Sequence, residues 1–214
     1  MKKRIPDFDT FICEGLYSSV TLNISRQYIK EFKEFLKGKK KSFDWKRYIE
    51  IEDTSPVRIK TIHDKNTEFA YDMEAGVEWD DEDSWTVMDI TITINKEFFP
   101  MAFNDFIAEL KETLRHEIEH VAQQNNPNKG FDEINTSRGD KSFAEYVLSS
   151  EEIPAYLQGF LTKAKTKKES MTKIINDFID SRKKWFNGNT QEMQMVKDKL
   201  IEIGKKMFPN AVWD

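Results

Sequence analysis

The sequence is poor in several residues that particular classes of protein require. It has one cysteine in 214 residues, Cys13, which excludes an internal disulfide and a zinc cluster of thiolates. No stretch approaches the roughly 18 consecutive apolar residues of a membrane-spanning helix, so we expect none. Asp7, Asp9 and Glu14 interrupt the stretch that would be apolar in a signal peptide, so we expect no secretion by that route. The three histidines leave few places for metal chemistry.

The charge balance and composition are those of an acidic, folded protein. Lysine and arginine total 33 against 38 aspartates and glutamates, a net charge of −5, which argues against a protein that coats nucleic acid. Apolar residues make up 38% of the chain and aromatic residues 13%, which is enough to bury a hydrophobic core. The length corresponds to one domain with an extension or to a tight two-part unit.

The first half of the chain is predicted to combine a helix with β-strands. Apolar residues recur at helical spacing from about Asn23 or Ser25 to Lys37, which predicts a helix there. Four strands are expected after it, the first two separated by Ser55-Pro56, over about 47–52, 57–62, 68–79 and 85–95. In the last strand apolar and polar residues alternate, as is typical of a half-buried strand.

The second half of the chain is predicted to be helical. The expected helices cover about 102–124, 142–148, 151–165, 170–186 and 190–207. The loop between the first two, 125–140, is either a lid or a plain surface connection. The whole pattern therefore predicts an α+β fold with a helical C-terminal part.

Two of the three histidines lie in the motif His116-Glu117-Ile118-Glu119-His120, inside the predicted helix 102–124. Positions i and i+4 are about 40° apart on a helix, so both imidazoles project from one face and can bind one zinc ion. Glu117 lies beside them, where it can contact a water molecule at the metal without being a ligand. The motif predicts a metal site; two surface histidines on a charged helix are the alternative.

The apolar positions of this helix predict its orientation. A stripe centred on Leu110 is expected to pack on the core, with the two histidines to one side of it, facing a cleft. Glu112, Arg115 and Glu119 are expected on the opposite side, in solvent. The remaining histidine, His63, is expected at a turn or on the surface.

A catalytic zinc ion needs a third protein ligand and one open position. Because no histidine follows His120, the third ligand must be a carboxylate. The candidates are Asp132, Glu133, Asp140, Glu145, Glu151 and Glu152.

The chain resembles the gluzincin-like zinc metallopeptidases, especially the small ones found in bacterial and bacteriophage genomes. Two motifs carry the resemblance: HExxH at 116–120 and, about 30 residues later, Glu152-Ile153-Pro154-Ala155-Tyr156. The resemblance covers about residues 85–165. In such proteins the small alanine lets the second helix lie close to the first, so that its glutamate reaches the zinc.

The resemblance implies a set of ligands and roles. His116, His120 and Glu152 would bind Zn²⁺, with Glu117 as the general base; Glu151 is the alternative to Glu152. Tyr146 would donate the hydrogen bond that stabilises the negatively charged oxygen of the reaction intermediate, and Tyr156 is the second candidate for this role. Either tyrosine could instead serve only in packing.

The resemblance also implies a zincin-like fold, in which a small mixed sheet with an edge strand packs on the HExxH helix. Residues 1–214 would form one domain: a helix and a β-rich part to about 100, zinc-binding helices over about 101–168, and a C-terminal helical extension over about 169–214. The 85–95 strand would be the edge strand, and a peptide or protein substrate would bind along it in extended form.

The implied function is hydrolysis of peptide bonds by a zinc-dependent metallopeptidase. A degenerate or structural zinc-binding protein that acts as an interaction module, and a metal-dependent hydrolase of other substrates, are the alternatives. We expect no nucleic-acid or membrane partner. The expected location is the cytoplasm of a bacterial or phage-infected cell, because the chain is similar in style to tailed-phage and bacterial proteins.

Overall fold

The computed structural model describes residues 8–51, 53–80, 85–124 and 141–214. These residues form an α+β fold with a four-stranded sheet and a helical C-terminal part, so the predicted fold class is confirmed at that level. The elements in chain order are α1 (Phe8–Lys37), β1 (Ser42–Ile51), β2 (Asp53–His63), β3 (Tyr71–Asp80), β4 (Trp85–Ile94), α2 (Phe99–Gln124), α3 (Phe143–Val147), α4 (Glu152–Lys167), α5 (Met171–Ser181), a 3₁₀ helix (Lys183–Phe186) and α6 (Thr190–Met207).

The sheet has the strand order β1-β2-β4-β3. Strands β2 and β4 are parallel neighbours, whereas β1 pairs with β2, and β3 with β4, in antiparallel fashion. The prediction that the 85–95 strand is the edge strand is therefore wrong, because β4 is paired on both sides. The edge strand that packs against α2 is β3. The alternation in β4 was interpreted correctly, since Met88, Ile90 and Ile92 are buried on one face, but alternation does not distinguish a central strand from an edge strand.

Several element boundaries differ from the prediction: the predicted helix 170–186 is divided into α5 and the 3₁₀ helix, and two other differences change the role expected of a residue. Helix α1 begins at Phe8, so Asn23 and Ser25 lie in its interior and do not cap it; the Ser25 hydroxyl donates to the Leu22 carbonyl. Strand β1 ends at Ile51 and β2 begins at Asp53, so Pro56 lies inside β2, opposite Tyr48. Proline is tolerated there because the pairing of β2 with β4 begins only at the next residue.

Two hydrophobic clusters lie on either side of the contact between α2 and α4. The first joins α1, the sheet and α2 through stacked rings such as those of Tyr28, Phe32 and Phe106. The second is formed by α3 to α6 and includes Phe160 of α4. Helix α2 therefore has packed neighbours on several sides: the sheet, α1 and α4.

This packing overturns the expected solvent face of α2. Arg115 is only 1% exposed; it forms an ion pair with Glu119 at 2.9 Å and lies over the ring of Tyr17 in α1. Glu112 is half-buried and pairs with Lys163 of α4. The expectation was wrong because α1 extends further towards the N-terminus than the sequence pattern suggested, so that Tyr17 covers the flank of α2.

Small residues allow α4 to lie against the part of α2 that carries the histidines. Ala155, which was expected to permit a close approach, is fully buried. One turn later, a Cβ atom added at Gly159 would lie 3.1 Å from the carbonyl oxygen of Glu112 and 3.6 Å from the Cβ of His116. The separation of the two helices is therefore set at this glycine.

Substitution of Gly159 by alanine tests this contact. Alanine favours the helix, but its methyl group would meet a backbone oxygen that cannot move alone, so we expect a net loss of about 1–2 kcal/mol in the free energy of unfolding. Gly15→Ala is the matched control, because Gly15 is also helical and an added Cβ has no neighbour within 4 Å. We expect no loss there in urea denaturation. Equal stability of the two variants would contradict the close packing.

Candidate metal centre

His116, His120 and Glu152 lie together at the contact between α2 and α4. The Nε2 atoms of the two histidines are 3.1 Å apart. The Glu152 carboxylate oxygens lie 3.4 Å from Nε2 of His116 and 3.5 Å from Nε2 of His120. The two histidines and the glutamate that the sequence predicted as ligands thus face one point from two helices.

The donor set fits a divalent metal such as zinc. Ligands bound at about 2.0–2.2 Å in tetrahedral geometry lie about 3.3–3.6 Å from one another, close to the three separations observed here. The side chains of His120 and Glu152 are only 5% and 4% exposed. Within the described residues, Oε2 of Glu152 is buried and makes no hydrogen bond. A buried carboxylate oxygen in that state has an unused lone pair, which a cation would satisfy.

Local structure explains why Glu152, and not Glu151, faces the histidines. The two α2 histidines share a face because they are four residues apart. Helix α4 begins at Glu152, whose backbone N–H lies 3.4 Å from the hydroxyl of Ser149. Glu151 instead accepts a hydrogen bond from Ser150 with its carboxylate, which holds that side chain outside the group.

The charges of the site are coupled. Burial raises the pKa of Glu152, but the adjacent imidazoles of His116 and His120 outweigh it, so the pKa of Glu152 lies below its usual value. Burial lowers the pKa of His120, but the neighbouring Glu152 carboxylate outweighs it and raises that pKa above its usual value. Burial also raises the pKa of Glu117, although the histidines counteract it. Glu117 is thus a carboxyl group whose affinity for a proton is raised beside the three ligands.

A cleft of about 470 Å³ opens at His116 and runs along α2 between β3 and α4. His116, Glu117, Tyr146 and Tyr156 all line it. A smaller adjoining cavity of about 250 Å³ is lined by Glu152 and both histidines, and Tyr146 lines this cavity as well. Burial, followed by the charges of Tyr156 and Glu152, raises the pKa of the Tyr146 hydroxyl, so it remains a hydrogen-bond donor.

The two tyrosines have different surroundings. Tyr156 packs its ring against that of His116, with the centroids 4.6 Å apart, and stacks on Phe160. Tyr146 lines both the cleft and the smaller cavity at Glu152. Tyr146 is therefore better placed to contact a bound molecule, and Tyr156 to hold the His116 ring.

Strand β3 forms one wall of the cleft. Met73 and Ala75 line the cleft, and Val77 lines the smaller cavity. Where β3 and β4 pair, the Asn95 N–H donates to the Ala70 carbonyl. In an antiparallel pair, residues whose backbone groups bond to the partner strand alternate with residues whose backbone groups point away from it. The backbone groups of residues 73, 75 and 77 therefore point away from β4. Their side chains and their backbone groups thus both adjoin the space beside the metal centre.

Acidic residues of α2 line the cleft away from the metal centre. Lys163 and Lys167, both from α4, pair with Glu112 and Asp105 respectively. Glu109 accepts a hydrogen bond from the Tyr71 hydroxyl at 2.8 Å. The cleft therefore offers polar groups of both signs along its length.

Gln123 is a site residue that the sequence analysis missed. It lies one turn after His120 on α2, is 4% exposed, and has its Oε1 atom 3.2 Å from Nδ1 of His120. Its Nε2 atom donates to the Glu151 carbonyl at 3.0 Å. The only signal in the sequence was its i+3 spacing from a histidine of the motif.

The other predicted candidates lie elsewhere. Glu145 caps α3 through a reciprocal pair of hydrogen bonds with Ser142. His63, at the end of β2, is near the Ile94 carbonyl and does not belong to the ligand group. Asp132, Glu133, Asp140 and the loop 125–140 lie outside the described residues.

Comparison of the chain with protein-family models, with curated proteins and with solved structures finds no match. Among the helices that the structure describes, none is long and apolar enough to cross a membrane. The site must therefore be interpreted from its own geometry.

Exchange of Glu152 for glutamine tests the ligand set. The amide removes the charge and one strong oxygen ligand. Loss of a residue that only hydrogen-bonds to a metal ligand costs about 10–100-fold in metal affinity, so we expect zinc affinity to fall by more than that. Glu151→Gln is the matched control, because it changes the neighbouring carboxylate outside the ligand group; its affinity should stay close to that of the unmodified protein. Competition with a chromophoric chelator measures both. A larger loss in the Glu151 variant would assign the ligand to Glu151.

Proposed function

We propose that this protein is a zinc-dependent metallopeptidase with a zincin-like arrangement of its active-site helix and edge strand. The observation that carries the proposal is the position of Glu117. It is a buried carboxyl group that adjoins the ligands His116, His120 and Glu152 but is not one of them, and it lines an open cleft. A site that only binds metal has no use for such a group, whereas hydrolysis needs a base there.

A zinc ion held by His116, His120 and Glu152 would be a Lewis acid that can polarise a carbonyl group and lower the pKa of a water molecule bound to it to about 7. Glu117 would take a proton from the attacking water and later donate it to the nitrogen of the leaving amine. The raised pKa of Glu117 favours the first step, because a carboxylate with greater proton affinity is a stronger base towards the attacking water.

Tyr146 would donate its hydroxyl hydrogen bond to the carbonyl oxygen as negative charge develops there. Its support is its position on both the cleft and the cavity at Glu152. Donors aimed at a developing oxyanion stabilise the transition state more than the ground state.

The substrate would lie in extended form beside β3. This strand replaces β4 in the role expected from the sequence, because β3 has an edge that is not paired with β4 and adjoins the metal centre. The outward backbone groups of Met73, Ala75 and Val77 would form hydrogen bonds with the peptide, as in other cases of strand addition.

The Glu117→Gln variant tests the proposed chemistry. Glutamine keeps the shape of the side chain but cannot accept the proton, so we expect zinc affinity close to that of the unmodified protein and a loss of about 100- to 10,000-fold in kcat. Hydrolysis is followed by mass spectrometry on a mixture of unstructured peptides with the zinc-loaded protein. Undiminished cleavage in this variant, or no cleavage by the unmodified protein with one zinc bound, would refute the peptidase assignment.

The Tyr146→Phe variant tests the oxyanion donor. Removal of the hydroxyl should lower kcat about 100-fold or more and leave KM nearly unchanged, because the hydrogen bond strengthens in the transition state. Tyr156→Phe is the control, and we expect a smaller effect since its ring, which packs on His116, is retained. The reverse order of the two effects would assign the role to Tyr156.

A further inference from the structure

We propose that Gln123 is a positioning residue that fixes the ring of His120 and the first turn of α4 with one side chain. The inference rests on the metal centre of the proposed function but goes beyond its ligands and general base. It concerns how two ligands on different helices are held in one geometry.

The orientation of the Gln123 amide follows from its partners. The Glu151 carbonyl can only accept a hydrogen bond, so the amide NH₂ group must face it, at 3.0 Å. The amide oxygen must then face Nδ1 of His120, at 3.2 Å. Because that oxygen can only accept, Nδ1 carries the proton of the neutral ring.

This assignment decides which nitrogen of His120 is free to bind a metal. With the proton on Nδ1, the lone pair of the neutral ring is on Nε2, the atom that faces His116 and Glu152. The Glu151 carbonyl thus fixes the orientation of the Gln123 amide. The amide oxygen in turn fixes the proton of His120 on Nδ1, which leaves Nε2 to bind a metal. The alternative tautomer would place a hydrogen atom on Nε2, towards the other ligands.

The second hydrogen bond acts on the other helix. It holds the carbonyl of Glu151, the residue next to the ligand Glu152. At this turn the Glu152 N–H makes only a long contact, 3.4 Å, with the Ser149 hydroxyl. Gln123 therefore joins the ligand-bearing turn of α2 directly to the start of α4, and it does so in a buried position where competition from water is small.

Two substitutions separate these effects. Gln123→Met keeps the length of the side chain and removes both hydrogen bonds, so zinc affinity should fall about 10- to 100-fold. Gln123→Glu keeps an acceptor for Nδ1 but turns an oxygen towards the Glu151 carbonyl. This variant should keep the His120 tautomer and still bind zinc more weakly. Gln124→Met, which removes the neighbouring amide, is the control and should leave zinc affinity nearly unchanged.

Two readouts test the inference, and neither depends on hydrolysis. Zinc affinity is measured by chelator competition, and the tautomer by ¹⁵N chemical shifts of the histidine rings in zinc-free protein, at a pH where His120 is neutral. We expect Nδ1–H in the unmodified protein and in Gln123→Glu, and a mixture of tautomers in Gln123→Met. Unchanged zinc affinity and tautomer in the methionine variant would overturn the inference.

The outcomes also separate this inference from the proposed function. A zinc-loaded protein that cleaves no peptide would refute the peptidase assignment, and the effects of Gln123 on affinity and tautomer would still stand. Normal peptide cleavage with no effect of Gln123 would refute only the positioning role. Should Gln123→Met fail to fold, Gln123→Glu decides alone: loss of the Nδ1–H tautomer, or zinc affinity equal to that of the unmodified protein, would overturn the inference.

Discussion

The close contact between α2 and α4 is the constraint on which the candidate site depends. The histidines share one face of α2 by local geometry, but Glu152, the third member of the group that could hold a metal ion, comes from another helix, 32 residues after His120. That helix reaches them because Ala155 and Gly159 present almost no side chain at the contact. The two hydrophobic clusters meet at this pair of helices, so the packing of both halves of the chain supports the geometry of the site.

Carboxylates along this contact differ in how fully they are paired. Glu112 and Asp105 pair with lysines of α4, so these carboxylates also bridge the two helices. Glu152 lies beside the two imidazoles and Tyr146, and its Oε2 atom makes no hydrogen bond within the described residues. An isolated buried carboxylate is costly, and a bound cation would remove most of that cost. Glu152, the carboxylate without a full set of hydrogen-bond partners, is therefore the one that lines the smaller cavity beside the cleft.

Features of the site that depend on local geometry could be predicted from the sequence. The HExxH spacing placed His116 and His120 on one face, and the family resemblance selected Glu152. The strand order could not be predicted in this way, because β4 becomes central only through its long-range parallel pairing with β2. The burial of Arg115 depends on Tyr17 of α1, in a segment that had no clear helical pattern. Gln123 was missed because glutamine gains its role only from the carbonyl that it meets across the helix contact.

The most direct test of the account is X-ray absorption at the zinc edge on the protein loaded with one equivalent of zinc. The account predicts a shell of nitrogen and oxygen ligands at about 2.0–2.2 Å, with the outer scattering of two imidazole rings. A sulfur ligand at about 2.3 Å would contradict it. So would a single imidazole, or a folded protein that binds no zinc.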